Sequence, residues 1–224
     1  MKIDKIEQTV EMSENIFTHK RNHADYTIVP IGEGKATLKT NPGKSLNELG
    51  INLGAEPEEA QEINRKIIEG LGMKLLSNNS IEYCIDIYTD FKIIENKHIL
   101  KIFLKALEIH KYKSGKVDFI INGQWIDKAD LKGLKGYKNS RAMKLYSKYE
   151  EQNMGHLKGD LIRLELILGA RALEQNKIDN IADVEKAKQE IREFLETMLK
   201  LLPSKMNRYS MYTKILIDKL LQKI

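Results

Sequence analysis

The chain has 224 residues, 42% of them hydrophobic and 31% charged, with a formal net charge of +5. That balance excludes an intrinsically disordered chain, leaves ample length for a real core, and contains no apolar run long enough to span a bilayer. A single cysteine, Cys84, excludes an internal disulfide and a cysteine-built zinc site. In chain order, residues 1–24 read as polar and aperiodic, which predicts a flexible arm or a short frayed helix. No secretory signal is read there, so a cytoplasmic location is expected, with no membrane partner. Tyr26 to Pro30 and Lys35 to Lys39 predict two strands around a glycine turn at Gly32 and Gly34. Glu56-Pro57-Glu58-Glu59 predicts a helix start with proline in its first turn, continued by Ala60, Ile63, Ile67 and Leu71.

Ile81 to Phe91 alternates as a half-buried strand does, which puts Asp86 and Asp90 on one face. Lys97 to His110 has helical spacing, and Val117 to Ile121 before Asn122-Gly123 reads as a strand ending in a turn. Two further strands follow, one around Tyr146 and one over Leu161 to Leu168. The tail then changes character, with amphipathic helices over Ile181 to Leu202 and Tyr209 to Ile224. The order predicts an α+β fold, an antiparallel sheet with helices packed on one face and a C-terminal helical hairpin. The expected division is an arm at 1–24, an α+β domain at 25–176 and a helical extension at 177–224.

Charge is unevenly spread. Between Lys92 and Lys148 stand fourteen Lys or Arg against five acids, a local excess of +9 that leaves the remainder at −4. Such an excess attracts a polyanion by releasing its counterions. Within it, Lys144, Tyr146 and Lys148 would share one face of a strand while Met143 and Leu145 enter the core. A phenol flanked by two ammonium groups suits a phosphate. If Leu145 to Gln152 is instead helical, Tyr146 and Tyr149 share a face, and Tyr149 competes as nucleophile. A phosphate-cradling nucleotide loop fails, because Leu38 stands where Gly43-Lys44-Ser45 would need its leading glycine.

Three separated patches resemble one family, the phage and plasmid replication initiators of the filamentous-phage gene II/X type, which are rolling-circle nickases related to the HUH endonucleases. Leu38-Lys39-Thr40-Asn41-Pro42-Gly43-Lys44-Ser45-Leu46 with Asn52 is similar to that family's strand followed by Pro-Lys-Leu and a trailing Asn. Ile85-Asp86 lies where the family has Arg-Ile-Asp, with Cys84 in place of the arginine. Tyr146-Ser147-Lys148-Tyr149-Glu150-Glu151 and Ile162-Arg163-Leu164-Glu165 are similar to its Tyr-x-Lys-x-x-Glu and Leu-Arg-Phe-Glu elements. The similarity spans roughly residues 26 to 175, and the His-x-His pair of the wider HUH class is absent.

The resemblance implies an HUH or ferredoxin-like nuclease core that nicks and rejoins single-stranded DNA through a 5′-phosphotyrosyl intermediate. Tyr146 would be the nucleophile and Lys148 its cationic partner. Asp86 and Glu165 would hold Mg2+ or Mn2+. Lys39, Lys44, Lys132, Lys135, Lys138, Arg141, Lys144 and Arg163 would contact DNA. The implied partners are single-stranded or locally melted origin DNA, a host helicase and a second copy of the chain. The rival reading is a non-catalytic DNA-binding protein that uses its basic face and C-terminal helices.

Overall fold

The computed structural model describes residues 1–12, 21–45, 53–112, 133–138 and 140–224. It divides into two compact units, one of Met1–Cys84 with Ile167–Lys186 and one of Ile85–Leu166 with Ala187–Ile224. These bounds differ from the expected division at residues 24 and 176, because the start of the chain and the 167–186 stretch share one unit.

The first unit is built on strands β1 (Lys2–Met12), β2 (Arg21–Asn22), β3 (Tyr26–Gly32), β4 (Lys35–Thr40) and the first part of β5 (Met73–Thr89), in the order β2-β3-β4-β1-β5. The expected arm is thus corrected: residues 2–12 form an inner strand, antiparallel to both β4 and β5. Its buried side chains alternate through Ile6, Gln8, Val10 and Met12, a period-two pattern that the interspersed Glu, Thr and Gln had concealed. The predicted hairpin forms, with Gly32, Glu33 and Gly34 all at positive φ in the turn. Two helices follow, α1 (Pro42–Ser45) and α2 (Pro57–Gly70). Pro57 and the acids Glu58 and Glu59 occupy the first turn of α2, where a missing N–H and a negative charge both suit the helix start. Its buried Ala60, Asn64 and Ile68 recur every four residues, and Ile68 joins Val10, Ile28, Leu38 and Met73 in the core of this unit. Gly54 sits at φ +71, where an added Cβ would lie 2.8 Å from Cys84 Sγ. That close approach lets Ile3 and Ala55 exchange two backbone hydrogen bonds of 2.8 Å.

The second unit holds the end of β5 (Ile85 onward), helix α3 (Lys97–Ile109), β6 (Gly133–Lys138), β7 (Arg141–Ser147), the single turn α4 (Lys148–Glu151) and most of β8 (Asp160–Gly169), in the strand order β5-β8-β7-β6. Strands β6 and β7 pair antiparallel, Leu134 opposite Leu145, across a turn where Ser140 has φ +65. Helix α5 (Ala170–Asn176), which belongs to the first unit, was not anticipated; α6 (Glu185–Lys200) and α7 (Arg208–Leu221) correspond to the predicted tail helices. Asn96 caps α3 by accepting from His98 N, and Asn207 caps α7 by accepting from Ser210 N. Phe103 of α3 meets Phe194 of α6 edge to face, centroids 5.2 Å apart. The predicted strand at 117–121 lies outside the described residues. The α+β class and antiparallel pairing are as expected. Among the described residues, no helix is long and apolar enough to cross a membrane.

Candidate active site

Strand β8 reads Leu161-Ile162-Arg163-Leu164-Glu165-Leu166, and both of its faces are buried. Alternation assigns Ile162, Leu164 and Leu166 to one face and Arg163 and Glu165 to the other. Two charged side chains at the middle of a sheet must be paired there, since an isolated buried charge is very costly. Arg163, 0% exposed, donates from Nε and Nη2 to the two carboxylate oxygens of Asp86 on β5, each at 2.6 Å. Its Nη1 lies 3.8 Å from Glu165 Oε1. Glu165, 1% exposed, accepts a hydrogen bond from the Tyr146 hydroxyl on that same oxygen. Lys144 Nζ forms an ion pair with its other oxygen at 2.7 Å, approaching off the hydrogen-bonding direction.

A continuous charged relay therefore runs from Asp86 through Arg163 and Glu165 to Tyr146 and Lys144. Lys148 stands beside it, its Nζ 5.7 Å from the centre of the Tyr146 ring and 2.6 Å from Glu151. The expected open face is corrected: Tyr146 is 3% exposed, because β7 lies inside the sheet and both its faces are covered. Lys148 is displaced from that face by the end of the strand at Ser147 and begins α4 instead. Burial raises the Tyr146 phenol well above its ordinary value, and the Glu165 charge raises it further against the opposing effect of Arg163. Burial also pushes Glu165 up, but Lys144, the Tyr146 hydrogen bond and Arg163 outweigh it, so the carboxyl lies below its usual range. Glu165 is the ionised acceptor and Tyr146 the neutral donor.

Asp86 and Glu165, the residues expected to hold a metal, are brought to one guanidinium rather than to one open cavity. Both Asp86 oxygens are occupied by Arg163, and each Glu165 oxygen faces a proton donor or a cation, so the pair as it stands does not fit a divalent ion. In the first unit, Asp4 and Glu82 have carboxylate oxygens within 4.8 Å of each other, with Lys5 Nζ 3.6 Å from Glu82. Those hard oxygens are of the type that Mg2+ or Mn2+ prefers.

Among the described residues, the side chains expected on DNA are committed to acids. Lys39 pairs with Glu7 at 2.9 Å and stays partly exposed, whereas Arg141 reaches Glu190 at 3.3 Å. Arg163 is corrected as a DNA contact, since its guanidinium is sealed against Asp86. Lys132 lies outside the described residues, as do the side chains of Lys44, Lys135 and Lys138. Tyr149 is half-buried on α4.

A second buried cluster went unread in the sequence. Ser147 Oγ donates to Asp160 Oδ1, Ile93 N donates to Asp160 Oδ2 at 2.9 Å, and Glu150 N donates to Ser147 Oγ at 3.1 Å. Burial raises the Asp160 carboxyl above its ordinary value against the hydrogen bonds from Ser147 and Ile93. The signal was present as Ser147-Lys148-Tyr149-Glu150, a Ser-x-x-Glu helix start directly after the tyrosine strand.

No protein-family model matches the chain, and no curated protein matches it. A solved structure of a rolling circle replication initiator protein from Geobacillus stearothermophilus is similar at 11% identity and a TM-score of 0.47, over 99% of this chain and 97% of that one. A superposition that loose transfers neither residues nor activity.

Proposed function

We propose that the chain is a rolling-circle replication initiator, or its nuclease domain, which nicks and rejoins single-stranded DNA through Tyr146. One observation carries the reading: the Tyr146 hydroxyl donates to Glu165, which Lys144 and the Arg163–Asp86 pair hold in place. A nucleophile within reach of a base that is itself oriented by further groups is the arrangement covalent catalysis requires. Tyr146 Oη attacks the phosphorus as its proton passes to Glu165. The bond from phosphorus to the 3′ oxygen breaks, that oxygen takes a proton from solvent, and the 5′ phosphate remains on the tyrosine. Reversal by a 3′ hydroxyl rejoins the strand and returns the proton. Lys144 and Lys148 offset phosphate charge, and attack requires Lys148 to move off the ring it now covers. Lys39, Lys44, Lys132, Lys135, Lys138 and Arg141 guide the strand by its phosphates.

Mg2+ or Mn2+ belongs to the proposal as the group that would neutralise the non-bridging phosphate oxygens when bound. Asp86 and Glu165 would have to release Arg163 and Lys144 to hold it.

The burial of Tyr146 favours a second reading, a DNA-binding protein in which the charged relay is structural. The two are separated by incubating the protein with Mn2+ and single-stranded oligonucleotides and looking for a covalent adduct after denaturation. The nickase reading expects an adduct that Tyr146→Phe abolishes while DNA affinity stays within a few fold. An adduct lost in Tyr149→Phe and kept in Tyr146→Phe moves the nucleophile from β7 to α4. Tight binding with no adduct leaves the binder.

A further inference from the structure

The first unit contains a cleft of about 320 Å³ that the chemistry at Tyr146 does not use, between β1, α2, β5 and the segment around Ile181. Its polar lining is rich in carboxamides, and three of them, Asn64, Gln8 and Asn78, form a hydrogen-bonded run. Thr40 Oγ1 donates to Asn64 Oδ1 at 3.1 Å, Asn64 Nδ2 to Gln8 Oε1 at 2.9 Å, and Gln8 Nε2 to Asn78 Oδ1 at 2.7 Å. The run ends where Asn78 Nδ2 donates to the Asp179 carbonyl at 3.3 Å. Gln8 is 0% exposed and stands in a strand row otherwise filled by Ile6, Val10 and Met12, where an aliphatic residue would pack at no polar cost. Each amide group has two donors and two acceptor sites, so the bonds of the run leave each with spare capacity. The run sets their orientation, every oxygen toward Thr40 and every NH2 toward Asp179. At its accessible end the run presents the Asn78 carboxamide to the cleft in a set orientation, with Asn64 and Gln8 buried behind it.

Its apolar walls are Ile68, Leu75 and Ile181, and Leu75 remains 43% exposed on β5. No cation is offered to a phosphate. Arg65, the one basic residue in the lining, is clamped by Glu62 at 2.7 and 2.8 Å and by Glu69 at 2.6 and 2.7 Å. With the acids Glu69 and Asp179 also in the lining, the part of a ligand buried here is not anionic, has an apolar face and carries a hydrogen-bonding edge. The volume lies at the small end of the roughly 300–1,000 Å³ typical of ligand sites, which suits one unit of a polymer rather than a segment.

We propose that this cleft takes a single unstacked nucleobase, read at its edge by Asn78, whose carboxamide the buried Gln8 and Asn64 hold in orientation, and held flat against Leu75. Carboxamides are the side chains that read base edges through paired donor and acceptor contacts, and single-stranded DNA supplies bases free to leave the stack. The inference rests on the reading of the chain as a single-stranded DNA protein, and gives that protein a base-selective contact.

The experiment uses the full chain and the four deoxynucleoside 5′-monophosphates, with deoxyribose 5-phosphate as the baseless control, observed by saturation-transfer NMR and calorimetry. One base is expected to bind at least fivefold more tightly than the weakest, with no binding of the control. Leu75→Asp, at an exposed position that tolerates change, is expected to weaken that base at least tenfold with an unchanged thermal midpoint. Asn78→Leu is expected to alter the order of preference among the bases. Tyr146→Phe is expected to bind all four as the parent does, which separates this site from the nicking chemistry. Equal binding of the control, absence of binding by every base, or an unchanged affinity in Leu75→Asp overturns the proposal even where the protein nicks DNA. Base binding without nicking sustains the site and removes only the nuclease.

Discussion

Arg163 shows how strongly one side chain governs the second unit. Its guanidinium is fully buried and matched in a fork to both oxygens of Asp86, a geometry that lysine cannot reproduce. Removing one partner of a buried pair leaves an uncompensated charge, so Arg163→Met is expected to destabilise by about 3–5 kcal/mol in urea unfolding. A change below 1 kcal/mol would mean that Asp86 is solvated, and the relay would lose its anchor. At Tyr146, replacement by Phe withdraws the donor from a buried carboxylate oxygen and should cost about 1–3 kcal/mol by the same measurement. That loss is small enough to leave a folded protein for the adduct assay.

At the scale of elements, α4 and the α3–α7 pair are each held by one small polar cluster. Ser147 caps α4 and also donates to buried Asp160, so Ser147→Ala is expected to cost roughly 1–3 kcal/mol, and chemical denaturation with a midpoint equal to the parent's would show the cap to be idle. On α3, His98 Nδ1 lies 2.9 Å from Thr213 Oγ1 of α7, and its Nε2 lies 3.5 Å from Ser210 Oγ. Burial, with Lys101 and Lys105 nearby, holds the imidazole below its ordinary value near 6.5. The unfolded chain then binds the proton more readily than the folded one. Stability from His98 is present above that ordinary value and drains away as pH falls toward the folded value. Urea midpoints followed from pH 7.5 to 5 should fall more steeply in the parent than in His98→Gln, and parallel curves would contradict this.

For the whole molecule the decisive quantity is the placement of charge. The +9 between Lys92 and Lys148 faces −4 elsewhere, so phosphate binding should concentrate there and weaken with salt. Affinity for single-stranded DNA, followed by fluorescence anisotropy from 50 to 200 mM salt, is expected to fall along a straight line of log K against log salt. The triple change Lys132→Glu, Lys135→Glu and Lys138→Glu should flatten that line. An unaltered slope would place the phosphate contacts outside this segment.

How much was legible follows from the range of the interactions. The β3–β4 hairpin, the start of α2 at Pro57 and the helix over Lys97 to Ile109 are set by turn chemistry, capping and a 3.6-residue period, all of which act within a few residues. Strand β1 was missed because polar side chains occupy its alternating pattern, and Gln8 is buried only because Asn64 of α2 and Asn78 of β5 lie against it. The pairing of Tyr146 with Glu165 could be suspected from motif order, but the depth of that tyrosine could not. By itself the sequence determined the α+β class, the basic segment and the residue types of the relay, since these rest on local pattern and on charge that needs no geometry. Only the tertiary structure decided that Arg163 closes on Asp86, that Tyr146 is a buried donor and that three carboxamides line one cleft. Each of those depends on strands and helices distant in sequence meeting in one register, and a charge or an amide acquires its role from the partner that burial supplies.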